Sequence, residues 1–146
     1  MDLKSNMKVY CDTCIYIDAM GLSSSSDPLR PLADFAWVFF DAVKKGRYVL
    51  VTSSWLFEEF RKVVGDELIS FIEELKLENK IHIQESGEDR KEARVLGPGN
   101  FPDARYVVLA KKAGALIITT RNLKDFAEFE DCLKKHPIEL SLPESL

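Results

Sequence analysis

Apolar residues fall into two kinds of pattern along this chain, and the two alternate. Short continuous runs, "MKVYCD" (Met7 to Asp12), Tyr48 to Val51, "KIHIQ" (Lys80 to Gln84) and "ALIITT" (Ala115 to Thr120), have the length and character of strands, mostly buried on both faces. Between them lie amphipathic stretches with helical spacing. Leu32 to Lys45 carries Leu32, Phe35, Ala36, Phe39, Phe40 and Val43 on one face, and Gly46 offers a cap. Trp55 to Val64, entered through Thr52, Ser53 and Ser54 as N-cap candidates, has the stripe Leu56, Phe60, Val63 and Val64, and Gly65 ends it. Glu67 to Glu78 buries Leu68, Ile69, Phe71, Ile72 and Leu75. A polar helix is expected over Gly87 to Leu96, then a break at "GPGNFP" (Gly97 to Pro102), then a helix from Asp103 to about Ala113 stopped by Gly114. "NLKDFAEFEDCLKKH" reads as loop plus helix, and Ile138 to Leu142 as an added edge strand. "GLSSSSDPLRP" (Gly21 to Pro31) is a polar loop whose tip is expected to be mobile.

Strands alternating with helices predict an α/β protein: a three-layer α/β/α sandwich around a mostly parallel sheet of four to five strands, with right-handed crossovers. A length of 146 residues is consistent with a single domain spanning 1–146. Hydrophobic residues make up 46% and charged residues 30%, a soluble composition. No apolar run approaches the ~20 residues of a membrane span, and "MDLKSNMK" lacks the apolar core of a secretion signal, so a cytoplasmic location is the default expectation. The net charge of −4 disfavours indiscriminate nucleic-acid binding but leaves room for a local basic patch. Cys11, Cys14 and Cys132 are too few and too irregularly placed for a disulfide framework or a structural zinc site, and read as core thiols.

In parallel α/β sheets, ligands bind beyond the carboxyl ends of the strands. Asp12 lies at such an end. Asp103 heads the inward stripe of its helix, with Val107 and Ala110 at i+4 and i+7; capping the helix and binding a cation are compatible tasks. Thr119, Thr120, Asn122 and Asp125 follow another strand's carboxyl end. On the helix after the second strand, Glu59 flanks the apolar stripe and can face a cleft, whereas Glu58 points to water. Several carboxylates at one sheet edge repel one another, and a divalent cation relieves that repulsion. An all-oxygen donor set suits Mg²⁺ or Mn²⁺. Arg121, Lys124, Arg105, Lys111 and Arg94 border the expected cleft as candidate partners for phosphate, and Trp55 and Phe101 are candidates for stacking on an unpaired base or for packing.

Three segments together resemble the PIN-domain nuclease family over nearly the whole chain: "VYCDTCIYID", with Asp then Thr at the end of the first strand; "VTSSWLFEEF", with an acid before an apolar residue; and "DARYVVLAKKAGALIITTRNLKDF". The resemblance implies a metal-dependent endoribonuclease, many members being VapC-like toxins paired with an antitoxin and forming homodimers. It carries Asp12, Glu59 and Asp103 over as metal ligands, and Asp12, Glu59, Asp103 and Asp125 as the catalytic acids. Asn122 and Asp125 both remain candidates to complete the metal site, and Thr13 and Thr120 are candidates to orient the ligands from behind. The alternative is a PIN-like module that binds RNA or protein with little cleavage. Aspartyl-phosphate chemistry fits less well, because Cys14 stands where such phosphatases need a second Asp.

Overall fold

The computed structural model describes residues 7–20, 32–62 and 65–146. The polar loop Gly21 to Pro31 and the stripe positions Val63 and Val64 lie outside the described residues. One sheet organises the chain, with five strands: β1 (Lys8–Cys11), β2 (Val49–Ser53), β3 (Ile81–Gln84), β4 (Ile117–Thr119) and β5 (Glu139–Ser141). Their spatial order is β3-β2-β1-β4-β5, and every neighbouring pair is parallel. Tyr10 stands opposite Val51 on one side and Ile118 on the other, and Thr119 stands opposite Ser141.

Seven α-helices among the described residues flank the sheet: α1 (Thr13–Ala19), α2 (Leu32–Lys44), α3 (Ser54–Phe60), α4 (Asp66–Leu77), α5 (Asp89–Leu96), α6 (Phe101–Ala113) and α7 (Glu130–Lys135). Two 3₁₀ segments, Leu123–Phe129 and Pro143–Ser145, complete the described elements. The central strands are apolar on both faces because helices cover both: Tyr16, Phe39, Phe40 and Phe60 are buried in one helical layer, Phe126 and Phe129 in the other. Tyr16 stacks on Phe60 at 4.2 Å between ring centroids, joining α1 to α3, while Tyr10 meets Tyr106 of α6 edge-on at 5.6 Å. The edge strand β3 is only half-buried throughout.

The structure departs from the patterned expectation in three places that matter for the site. Strand β2 runs on through Thr52 to Ser53, and only Ser53 caps α3, its Oγ accepting from the Leu56 N–H at 3.1 Å. Helix α3 stops at Phe60, short of the expected Val64, and Gly65 does not end it but stands as the N-cap of α4. Helix α6 starts at Phe101, two residues before Asp103, with proline in its first turn, where the missing N–H costs nothing. Its burial is also wider than a stripe: every residue from Ala104 to Ala110 is buried, because the sheet, α5 and the 3₁₀ segment enclose it.

Gly97 explains the break before α6. A Cβ there would sit 2.7 Å from Cε1 of Phe129 and 3.2 Å from the Cβ of Ala104, so only glycine lets the α5–α6 turn close onto the 3₁₀ segment. Gly114, at φ +75°, turns the chain out of α6 and into β4 in the left-handed conformation that glycine adopts without strain. Among the described residues, no helix is long and apolar enough to cross a membrane.

Candidate functional site at the carboxyl edge of the sheet

Strand β1 is the switch point of the sheet, since the chain goes from it to β2 on one side and returns to β4 on the other. The crevice above the carboxyl ends of β1 and β4 is where this architecture accepts ligands. Asp12 enters it directly. Its backbone N–H continues the β1–β4 ladder, donating to the Thr119 carbonyl at 3.0 Å, and its φ/ψ of −69° and 150° are those of an N-cap. Its side chain does not cap α1. Instead Oδ2 accepts from Thr120 Oγ1 at 2.7 Å, and the Cys14 thiol donates to the same oxygen at 3.5 Å. Thr120 Oγ1 also accepts from the Asn122 N–H at 3.0 Å, so the turn after β4 is stitched to the Asp12 carboxylate through one hydroxyl.

Asp103 arrives from the first turn of α6, half-buried. Burial pushes its carboxyl above the usual range; a hydrogen bond from Asn100 opposes this, and the charges of Asp125, Asp12 and Glu128 add to it. Four carboxylates therefore share one electrostatic neighbourhood. Among the described residues, no Lys or Arg lies within ion-pair distance of any of them. Asn100 holds the outer part together. Its Nδ2 donates to the Asp125 carbonyl at 3.1 Å and to Glu128 Oε1 at 2.9 Å, rather than capping α6.

Below the carboxylates lies Tyr106, one turn along α6. Its hydroxyl and that of Thr13 are 3.2 Å apart. Burial, with the Asp12 charge next, raises the phenol far above its ordinary range, so it stays protonated. The Cys14 thiol is pushed up to about 12, again by burial first and Asp12 second, so it is a proton donor beside Asp12 and no thiolate nucleophile.

The remaining candidate residues are placed as follows. Glu59 is exposed on α3, and Glu58 is exposed too, 3.6 Å from Arg61. Asn122 and Asp125 are both exposed in the turn and 3₁₀ segment after β4. Lys124 is exposed between them. Arg105 faces inward: its Nε donates to Asp89 Oδ2 at 2.7 Å, both residues are buried, and the guanidinium lies 4.1 Å from the Trp55 ring centroid. Arg121 is likewise engaged, donating to Asp18 at 2.9 Å and to Glu144 at 2.9 Å. Lys111 pairs with Glu92 at 3.2 Å, and Arg94 lies over the Phe101 ring. Neither histidine belongs to this crevice as a base: His82 is bonded to Lys8 and Gln84 on β3, and His136 ends α7.

Sequence patterning does not single out Tyr106, Asn100 or Glu128 for the site, nor Cys14 as an Asp12 partner. Tyr106 is legible in principle, since it follows Asp103 by three residues on a helix and so shares its face. Asn100 and Glu128 carry no such signal, because their meeting depends on how the 3₁₀ segment folds back over α6.

The donor chemistry of the crevice suits a hard divalent cation: carboxylate oxygens, a hydroxyl behind one of them and, among the described residues, no side-chain cation in compensation. The arrangement stops short of a full coordination set, since among the described residues no group of three or more His, Cys, Asp or Glu side chains stands close enough to hold a metal ion. Comparison with family models and with curated proteins found no match to this chain.

Proposed function

We propose that this chain is a PIN-like, metal-dependent endoribonuclease whose centre is built on Asp12 and Asp103. One observation carries the reading: two carboxylates more than ninety residues apart stand near enough at the sheet's switch point for the charge of one to raise the other, and among the described residues no Lys or Arg is paired with either. A structural role does not call for such an arrangement, because an uncompensated cluster of acids destabilises the fold that holds it.

Asp12 and Asp103 are the residues that would hold Mg²⁺ or Mn²⁺; the family resemblance adds Glu59 and, from the turn after β4, Asn122 or Asp125 as further oxygen donors. Such an ion, when bound, supplies activation of water and stabilisation of the charge that develops on a phosphodiester under attack. The rest belongs to the chain. Thr120 fixes which Asp12 oxygen is turned inward and which is left for a ligand. Tyr106 and Thr13 brace the first turn of α1 beneath it. Cys14 keeps a proton next to Asp12 and closes the rear of the site. Arg105 and Arg121 are committed to carboxylates, whereas Lys124, exposed in the 3₁₀ segment after β4, is free among the candidate cations to meet a substrate phosphate. A role as a toxin, an antitoxin partner and a homodimer belong to the same proposal through the family resemblance.

The exposed position of Glu59 favours one second reading, a PIN-like module that binds RNA without cutting it. The two are separated by incubating single-stranded RNA with the wild type and Asp12→Asn in Mg²⁺ or Mn²⁺. The nuclease reading expects metal-dependent cleavage by the wild type and a loss of about a thousandfold or more in the variant. Intact RNA with undiminished binding supports the module, and equal cleavage by both proteins removes Asp12 from the chemistry.

A further inference from the structure

The outer surface of α5 contradicts the chain's overall acidity. The helix turns Asp89 and Ala93 inward, both buried, with Leu96 half-buried behind them. Arg90, Lys91 and Arg94 are thereby left together, since i, i+3 and i+4 are neighbours on a helix, and all three are exposed. Of the acids that flank them, Asp89 is engaged with Arg105 and Glu92 with Lys111, while Glu88, exposed at the N-cap, offsets one of the three charges at most. Among the described residues, none of Arg90, Lys91 and Arg94 has an ion-pair partner. Three uncommitted positive charges on one face, in a protein of net charge −4, make a local field that the total charge conceals.

This face runs into a ladder of flat groups. The Arg94 guanidinium lies 5.6 Å from the Phe101 ring centroid; that of Arg105 lies 5.8 Å from Phe101 and 4.1 Å from Trp55. Asp89 clamps Arg105 through two hydrogen bonds, so the inner rungs are rigid. Phe101 and Trp55 remain half-exposed, and Val95, next to Arg94, is 85% exposed. Trp55 in turn meets the Tyr106 ring at 5.5 Å between centroids, and the Tyr106 hydroxyl faces Thr13 beside Asp12, so the inner end of the ladder reaches the acidic crevice.

We infer that the outer face of α5, with Phe101 and Trp55, is a platform on which a single-stranded polyribonucleotide lies as it approaches Asp12 and Asp103. Cations on one face and stackable rings beside them are the two elements of single-strand recognition: the charges track phosphates, and the rings accept unpaired bases of any sequence. A duplex presents no free base faces and is not what this surface fits. The inference rests on the proposed RNA substrate but not on cleavage.

The test is fluorescence anisotropy of a labelled single-stranded RNA dodecamer, with EDTA present so that no cleavage occurs. The charge-reversed protein Arg90→Glu/Lys91→Glu/Arg94→Glu is expected to bind about tenfold more weakly or worse. The slope of log affinity against log salt should become shallower by about two, at roughly 0.7 for each phosphate no longer neutralised. Phe101→Leu, which keeps apolar bulk in the helix start, is expected to cost about fivefold through weaker stacking. Arg47→Glu/Lys134→Glu/Lys135→Glu makes the same change in net charge on other elements and should bind within about twofold of the wild type. The platform is overturned if the wild type does not bind, if the α5 variant binds like the wild type, if the control variant loses as much, or if polyglutamate displaces wild type from RNA as an acidic-protein surface would predict. Cleavage by the wild type in Mn²⁺ with unaltered binding by the α5 variant would sink the platform and leave the nuclease standing. Absence of cleavage, with RNA binding abolished in the α5 variant, would do the reverse.

Discussion

Asp89 and Asp12 are both buried carboxylates beside the start of a helix, with 1% and 7% of their surface exposed, yet their surroundings are opposite. Asp89 has its own cation. Arg105 reaches it at 2.7 Å, and the Gly87 N–H donates to its other oxygen at 2.7 Å. Burial alone would raise its carboxyl, but these bonds outweigh burial and hold it below the usual carboxylate range. Asp12 has a threonine hydroxyl, a thiol that keeps its proton, and other carboxylates nearby. A buried acid that carries its counterion is architecture, here a clamp between α5 and α6. A buried acid without one invites a cation from outside.

The widest separation between the two regions should appear on cutting each. Arg105→Met leaves Asp89 buried and unpaired, and is expected to destabilise the fold by about 3–5 kcal/mol in urea unfolding at pH 7. The matching cut, Asp12→Asn, removes an uncompensated charge and should leave the metal-free protein as stable as the wild type or more so. A similar large loss in both variants would erase the distinction. The sign of the pH dependence follows from the depressed Asp89 carboxyl. Its stabilisation is fully present above the ordinary Asp range and is lost as pH falls through the lowered value. The gap between wild type and Arg105→Met should therefore be widest at neutral pH and close below about pH 4.

A smaller contrast lies at Asp103, where the carboxyl is raised instead. An acid with a raised folded value works against folding once it ionises and stops doing so when protonated. Asp103→Asn should stabilise the metal-free protein by about 1 kcal/mol at pH 7, a thermal midpoint shift of roughly 2–4 °C, with the gain vanishing in acid. Mn²⁺ should reverse the order, raising the midpoint of the wild type and much less that of the variant. A variant that gains from Mn²⁺ as the wild type does would show that Asp103 holds no ion.

The smallest effect is expected at Tyr106→Phe. It removes one hydroxyl facing Thr13 and Asp12 and keeps the ring that meets Tyr10, Trp55 and Phe126. The expected cost is about 1 kcal/mol of stability, together with a weakened Mn²⁺ response if the phenol steadies Asp12. Tyr106→Ala, which also empties the aromatic cluster, should cost several times more; equal costs would mean that the hydroxyl carries everything.

Periodicity is a good guide to the strands and to most helix bounds. Alternate burial is a local matter of which residues face the sheet, and neighbours in sequence settle it. It does worst where tertiary enclosure overrides the pattern. Helix α6 shows a stripe of Val107 and Ala110 in sequence but is buried on nearly every side. Strand β2 continues through Thr52 to Ser53 despite their polarity: Thr52 is held by backbone pairing with Ile83 of β3, and Ser53 Oγ is satisfied by the Tyr10 hydroxyl at 3.0 Å and by the cap bond of α3. The arginines show the same limit. As letters, Arg105, Arg121 and Arg94 are equivalent cations beside a cleft. Folded, two are locked to carboxylates and Arg94 lies over a ring instead.

What the amino-acid order determined by itself was the succession of elements, the glycine turns at Gly46 and Gly114, and the placing of Asp12, Asp103, Asn122 and Asp125 past strand ends or at helix starts, all of which follow from local periodicity and backbone chemistry. Which acids meet, and which possess a counterion, was decided only in three dimensions. The bond from Thr120 to Asp12 spans 108 positions and the approach of Tyr106 to Thr13 spans 93. Charge neutralisation acts through space over a few ångströms, and only the completed fold sets those distances.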